Sequence, residues 1–336
     1  FQRLLSHILA FDELNLTTPY MSAREIVESF LSDPLLIDMI FCPLMFYGCA
    51  GENDMDFAQF VIMFKSIFCE GFARPAGGVR PLLSRLLKKY LLLGGNLRTG
   101  CAVTKILVKD DSVEALVLDD GEEIRAKKVL SSIGYFETGA LLSPRKNNFT
   151  PGENMVGKIS FVELIFFLNR EMKELGFEQS ICFFNQHDRF NYQQPDTLID
   201  LTSGVICCPN NFAYKDPLQD KLIRITCPAN FSLWNTLQEW EYKRQKEKAK
   251  EMVLREIIKI IPDFRDSIIA SDIFTPRTIY TFTGHINGAV YGTPHKTRDG
   301  RTPVKDLYIC GTDQGFLGII GALLSGISMA NLHVLK

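Results

Sequence analysis

The segment Leu307-Tyr-Ile-Cys-Gly-Thr-Asp-Gln-Gly-Phe-Leu-Gly-Ile-Ile-Gly-Ala-Leu-Leu-Ser-Gly-Ile-Ser-Met-Ala-Asn331 decides how this chain is read. Leu307–Cys310 is a short apolar run of strand type, and Gly311 to Gly318 is a tight glycine turn. Ile319–Leu335 reads as a helix whose small residues Gly321, Ala322, Ser325, Gly326 and Ala330 recur about one turn apart. A glycine inside a helix costs about 1 kcal/mol against alanine. Glycines gathered near one helix start therefore imply that something packs against the backbone there. The arrangement also offers an anion-receptive helix N-terminus. Gly315-x-x-Gly318-x-x-Gly321 is not the G-x-G-x-x-G dinucleotide fingerprint, and that fingerprint occurs nowhere in the chain. Spacing alone leaves open a glycine-faced helix packed closely on a sheet.

Working outward, the 336 residues suffice for one large domain or two interleaved ones. Hydrophobic residues make up 46%, which allows a substantial core, and 37 basic against 39 acidic residues give no reason to expect a nucleic-acid partner. The 25 Phe suit either an apolar tunnel or a Phe-rich core. Nine Cys form no C-x-x-C pair and five His are scattered, so no metal site is expected and a reduced cytosolic protein with mostly buried thiols is. The longest apolar run, 35–50, is broken by Asp38 and Pro43, too short for a bilayer span and suited to a buried or interfacial helix.

Residues 1–70 read as helical, with a capping-box pattern at Ser22-Ala-Arg-Glu25 and helices over 34–47 and 54–68. Phe57, Phe60, Val61, Phe64 and Phe68 form an aromatic stripe, read either as core packing or as a lid facing a membrane. A further helix spans about 79–93 and ends at Gly94-Gly95. Strands are expected at 96–101, 103–108, 113–118, 122–125 and 128–133, with a hairpin around Asp119-Asp-Gly121. More strands follow at 158–168, 181–184, 197–201, 204–208, 222–227 and 267–274. One long helix is expected from Leu233 to Ile261. No internal repeat, low-complexity stretch or linker appears.

Three segments in order carry a resemblance: Arg74-Pro-Ala-Gly-Gly-Val-Arg-Pro-Leu-Leu83, Asn287-Gly-Ala-Val-Tyr-Gly292, and Gly311 to Gly326. Together they resemble the phytoene desaturase and carotenoid isomerase-like flavoproteins of the amine oxidase superfamily. The resemblance implies an α/β fold with α+β elements: an incomplete Rossmann-like FAD-binding domain interleaved with an antiparallel-sheet substrate domain and a helical cap. Its parts would be 1–70 (cap), 71–145 (FAD domain), 146–295 (substrate domain) and 296–336 (FAD domain). FAD would be the cofactor. Val103 would lie near its adenine end and Ser132 and Gly134, in the stretch Ser131–Gly134, near its phosphates. Gly311 would be a further cofactor-binding position, Asp313 would accept hydrogen bonds from the ribityl chain, and the backbone of Gly318, Ile319, Ile320 and Gly321 would meet the flavin ring. Arg74 and Arg277 are candidates for the cavity or the phosphates. No catalytic acid–base pair stands out.

The substrate implied is a long apolar polyene or isoprenoid, desaturated or isomerised cis to trans, with peripheral membrane contact and an otherwise cytoplasmic location. Two rivals stay open: an amine oxidase type, with Tyr291 as half of an aromatic pair, and a non-enzymatic or truncated relative. The family's N-terminal βαβ unit has no counterpart before Gly71. That absence reads as the C-terminal part of a longer protein.

Overall fold

Five apolar-rich segments between 160 and 274 pair, in the computed structural model, into one antiparallel sheet. The structure describes residues 1–13, 15, 18–145, 149–152, 155–315 and 317–335. The strands are β6 (Ser160–Leu168), β7 (Ile181–Asn185), β8 (Ser203–Cys207), β9 (Lys221–Ala229) and β10 (Ile268–Phe274), in the order β10-β6-β9-β8-β7. β6 and β9 pair without a slip from Ser160 opposite Ala229 to Leu168 opposite Lys221. That register sends Val162, Leu164, Phe166 and Leu168 to one face, where they bury against Ala249, Val253, Ile257 and Trp234.

The other face of the sheet receives the helical cap. α1 (Gln2–Ala10), α2 (Ala23–Phe30), α3 (Pro34–Gly48) and α4 (Phe57–Phe64) precede it in the chain. Ser22 caps α2 by accepting from the Glu25 N–H at 3.0 Å, as the capping pattern predicts. Phe41, Phe46, Phe57, Phe60 and Phe64 are buried in one core with Phe161, Phe190 and Val205 of the sheet side. The stripe is therefore interior packing from Phe57 to Phe64, while Phe68 at its end is exposed. Asp38, buried on α3, pins the cap to the loop after β7: it accepts from Arg189 Nε at 2.7 Å, the Phe190 N–H at 3.1 Å and Arg24 Nη1 at 3.2 Å.

A second unit lies beside these layers. α5 (Arg80–Leu92) is followed by β1 (Val103–Lys109), β2 (Ser112–Leu118), β3 (Glu123–Arg125), β4 (Val129–Ser131), α6 (Tyr135–Ala140) and β5 (Leu142–Ser143). The order β3-β2-β1-β5 forms one sheet, with β5 parallel to β1. β1 and β2 turn through Asp110 and Asp111, both at positive φ, as a two-residue hairpin favours. β4 pairs in parallel with β11 (Leu307–Ile309), and α10 (Gly318–Met329) closes the chain.

Three expectations change. Residues 96–101 form no strand: among the described residues no strand lies beside them, and Arg98 instead pairs with Glu122 on the surface. Residues 197–201 supply only an isolated bridge from Ile199 to Ala229, because Asp200 turns back to accept from the Thr202 N–H at 2.8 Å and Ser203 Oγ at 2.9 Å. The long helix divides into α7 (Phe231–Asn235) and α8 (Glu239–Ile257). Trp234 is fully buried and donates to the Leu198 carbonyl at 2.9 Å, which fixes the first turn before Gln238 opens the second helix. α9 (Pro276–Thr283) starts at Thr275, whose hydroxyl accepts from the Thr278 N–H. No helix among the described residues is long and apolar enough to cross a membrane.

Candidate functional site

β4 and β11 are neighbouring parallel strands that end side by side, each running into a glycine turn and then toward a helix. Ligands of open α/β sheets gather outside the carboxyl ends of such strands. After β4 the chain passes Ser132 and reaches Gly134, at φ +113, which opens α6. After β11 it reaches the buried Gly311, at φ +78. The Cys310 N–H donates to the Ser131 carbonyl at 2.8 Å. A Cβ placed on Gly311 would lie 3.5 Å from Ser132 Cβ, so the two turns pack in contact.

Asp313 ties these turns together. It is 1% exposed. Its Oδ2 accepts from the Tyr135 N–H at 2.7 Å and its Oδ1 from the Thr293 N–H at 2.8 Å. One carboxylate thereby clamps the start of α6, the Asn287–Gly292 landmark and the end of β11. Gly292 must be glycine: its φ is +64 and a Cβ would fall 1.9 Å from Asp313 Oδ1. A second bond fixes the helix behind the turn, since the Gly311 N–H donates to Ser325 Oγ at 2.7 Å.

The first turn of α10 is open. Leu317 makes no side-chain cap and no acidic residue stands in that turn. The first N–H groups of a helix have no intrahelical acceptor and carry its positive end. Gly318, Ile319 and Ile320 are exposed, and Gly321 is half-buried. A Cβ on Gly318, at φ +71, would meet no atom within 4 Å. A cleft of about 480 Å³ lies between this turn and the Phe72–Leu82 stretch, so the structure brings the Arg74–Leu83 landmark to Gly318–Ile320.

Val103 sits apart from these contacts. It opens β1 and packs, half-buried, against the core that contains Val129 and Leu307, the first residues of β4 and β11. Arg277 lies outside the cavities. Its guanidinium stacks 4.8 Å from the Tyr242 ring centroid and pairs with Glu239 at 3.5 Å. Arg74 is half-buried between Ala73 and Pro75, which line the cleft at α10, but does not itself line that cleft. Tyr291 donates to the Phe46 carbonyl at 2.5 Å, and Phe161 meets its ring edge-on at 6.3 Å.

A second cavity, of about 570 Å³, lies between the five-stranded sheet, the cap and α9. Its lining is mainly apolar and aromatic, including Phe46, Phe161, Phe274, Phe282 and Tyr291. Tyr47 lines both this cavity and the cleft at α10. Its ring meets Phe72 edge-on at 5.4 Å, so one aromatic wall separates the two spaces.

Sequence reasoning missed Tyr47, Lys296, Glu163 and Arg224. Lys296 donates to the Tyr291 carbonyl at 2.6 Å; burial pushes its ammonium down to about 8, while the charge of Asp313 opposes the fall. No motif marks it. Glu163 and Arg224 had a signal available: each is a charge inside an otherwise apolar stretch of its strand, SFVELIFFL and KLIRITCPA, with Lys221 only at the start of the second.

No protein-family model matches the chain. Among characterised proteins it is 26% identical over 328 residues to prolycopene isomerase 2, chloroplastic, of an Oncidium hybrid cultivar, covering 92% of this chain and 54% of that protein. It is 24% identical over 317 residues to all-trans-retinol 13,14-reductase of Danio rerio, covering 80% of this chain and 51% of the relative. The chain thus spans about half the length of the relatives it matches. An oxidoreductase from Methanosarcina mazei superimposes with a TM-score of 0.62 at 16% identity, covering 98% of this chain and 72% of that one. A protein from Pyrococcus furiosus does so with a TM-score of 0.56 at 12% identity, covering 99% and 72%. The chain is a distant homologue of the prolycopene isomerases and the retinol reductase, and it shares the fold of the Methanosarcina mazei oxidoreductase.

Proposed function

We propose that the protein is a flavin-dependent oxidoreductase or isomerase that places FAD at the ends of β4 and β11 and a polyene in the adjoining apolar cavity. Residues 71–145 and 296–336 form the cofactor-binding unit, an incomplete Rossmann-like one, and 146–295 the substrate unit beneath the helical cap of 1–70. The single observation that carries the reading is the meeting of the two spaces at Tyr47: a glycine-faced helix start opens on one side, an apolar cavity on the other. The relatives' names, prolycopene isomerase and all-trans-retinol reductase, supply the substrate class.

The residues present fit the ring end of the cofactor. Gly318 leaves the space a side chain would fill, and the uncapped N–H groups of Gly318–Gly321 face negative charge favourably. Ser132, Gly134 and Gly311 offer backbone without bulk at the strand ends, and Val103 backs them from the core. Asp313 holds this frame through the Tyr135 and Thr293 amides, each oxygen keeping one lone pair for a ribityl hydroxyl. FAD, when bound, supplies the redox chemistry. The chain's own part is to position the polyene against the ring, exclude water with the Phe-lined walls, and hold both with Tyr47 between them.

The test compares Gly318→Leu with Gly176→Leu. Both glycines have positive φ and open space, so the two variants carry matched backbone strain. Gly318→Leu should lose most of the flavin absorbance of the purified protein, while Gly176→Leu keeps it and both melt alike. Equal flavin content in the two variants would remove α10 from the cofactor site.

A further inference from the structure

Lys296 stands against the glycine turn that follows β11. Its Cβ lies 3.8 Å from where a Cβ on Gly315 would stand, and the next residue, Thr297, donates its N–H to the Asp313 carbonyl at 2.8 Å. The stem of Lys296 is partly exposed, but its ammonium end turns inward to the Tyr291 carbonyl. Lys296, Gln314 and Gly315 line a small cavity of about 40 Å³ together with Ala58, Gln59 and Ile62 of α4. Met63, the next residue of α4, lines the cleft at α10 with residues 317–320. One helix and one turn therefore join Lys296 to the cleft at Gly318.

The neighbouring cations each have a carboxylate. Arg298 pairs with Asp56 and Lys65 with Glu13, and in the apolar cavity Arg224 Nε donates to Glu163 Oε1 at 2.5 Å. Among the described residues Lys296 forms no ion pair; its bond goes to a carbonyl. The charged and titratable groups that face it are Asp313 on the turn, Cys49 just after α3, Tyr291, and His285, which is held by Glu137. Each Asp313 oxygen already accepts one amide N–H. Burial pushes the Cys49 thiol up to about 12 and raises the Tyr291 hydroxyl as well, so both are neutral near pH 8. Gln314, 1% exposed, also leaves its Oε1 without a hydrogen-bond partner. An unpaired cation in a weakly screened place interacts strongly with any negative charge brought near it. Reduction of a flavin by two electrons with uptake of one proton brings such a charge, whereas the oxidised ring is neutral.

Resting on the FAD reading above, we propose that Lys296 sets the reduction potential of the bound cofactor, its positive charge favouring the reduced ring over the oxidised one. Lys296 acts through its charge and leaves the substrate cavity to the aromatic residues; it lines neither that cavity nor the cleft at α10.

The midpoint potential of the flavin-loaded protein tests this, read from flavin absorbance against redox dyes from about pH 7 to about pH 10. Dithionite supplies the electrons and the buffer the protons. Lys296→Met keeps the length of the side chain and removes its charge. Its midpoint should fall by the equivalent of a roughly ten- to hundredfold loss of preference for the reduced cofactor. The wild type carries a second signature, because burial brings the Lys296 ammonium down to about 8. Below that pH Lys296 is charged in both redox states, and reduction takes up one proton per two electrons. Above it the amine is neutral beside the oxidised ring and regains its proton on reduction. Uptake then becomes two protons, and the slope of potential against pH doubles. Lys296→Met should lack this break, whereas a break due to His285 would persist there and vanish in His285→Gln. An unchanged midpoint in Lys296→Met, or a wild-type slope that stays constant to about pH 10, overturns the inference and leaves the FAD site standing. If Lys296→Met does not hold flavin, the wild-type slope decides alone. Failure of the wild-type protein to take up FAD removes the cofactor reading and this inference together.

Discussion

Asp313 shows what a single side chain does in this fold. Its two oxygens serve two backbone amides from distant segments, so removing them orphans two buried donors. Asp313→Ala should cost about 1–3 kcal/mol for each donor left unpaired, read as a lowered urea midpoint with parallel loss of flavin. A midpoint unchanged within error would show that the amides find other acceptors. His285 and Glu137 form a second buried contact at this level, Nδ1 to Oε1 at 3.5 Å, and Glu137 Oε1 also accepts from the Ile286 N–H at 2.7 Å. The bond to Glu137 raises the His285 pKa against burial. Burial alone would raise Glu137, but its bonds to His285 and Ile286 hold it below the usual range. His285 then stabilises the fold fully below about pH 6.5 and loses that contribution as pH rises through its raised folded pKa. Glu137 contributes above about pH 4.3 and loses its share as pH falls through its lowered folded pKa. Their joint contribution peaks between those limits, and His285→Gln should flatten the decline above pH 6.5 in denaturation series. An unchanged slope would place the titration elsewhere. At this scale the sequence marked Asp313 as a polar contact. It hid the partners, because backbone amides 178 and 20 residues away carry no residue-type signal.

Elements were legible where a local pattern sufficed. β6, β8, β9 and β10 follow from alternating or continuous apolar runs between turn signals, α2 from its Ser22 cap, and α5 from Pro81 in its first turn and Gly94 beyond its end. The errors fall where a tertiary neighbour decides: 96–101 has no adjoining strand among the described residues, and the helix expected over 233–261 is broken after the buried Trp234. The aromatic stripe on α4 was ambiguous for the same reason, since periodicity gives a face but not what covers it. Phe60 settles its role, lying fully buried with Phe41 at 5.2 Å and Phe57 at 5.7 Å. Phe60→Ala should cost about 3–5 kcal/mol in chemical denaturation and loosen the cap over the cavity. A loss under about 1 kcal/mol would mean that the cap repacks, as only volume-conserving changes normally permit.

Across the whole molecule, the layers were legible as a class, and their junctions were not. A resemblance carried by three glycine-bearing segments located the strand ends and the helix start, because glycine patterns survive where side chains drift. The cavity, Tyr47 between the two spaces, and the Glu163–Arg224 pair depend on strand register and on a cap folded from the other end of the chain. No local rule joins Phe46 to Tyr291, yet they meet through a hydrogen bond across 245 residues.

The parallel pairing of β4 with β11 also sets a clock. During synthesis Tyr135 emerges long before Asp313, 178 residues later. At about 5–20 residues per second that is roughly ten to forty seconds. Throughout this interval β4 offers an unpaired edge, and such edges recruit foreign strands. Lys127 and Lys128 flank β4, and Lys128 is itself held by the His333 carbonyl. Trypsin should therefore cut at these lysines in ribosome-bound chains arrested before Val304 and spare them in the finished protein. Equal protection in both would mean that another part of the growing chain shields β4 while it waits.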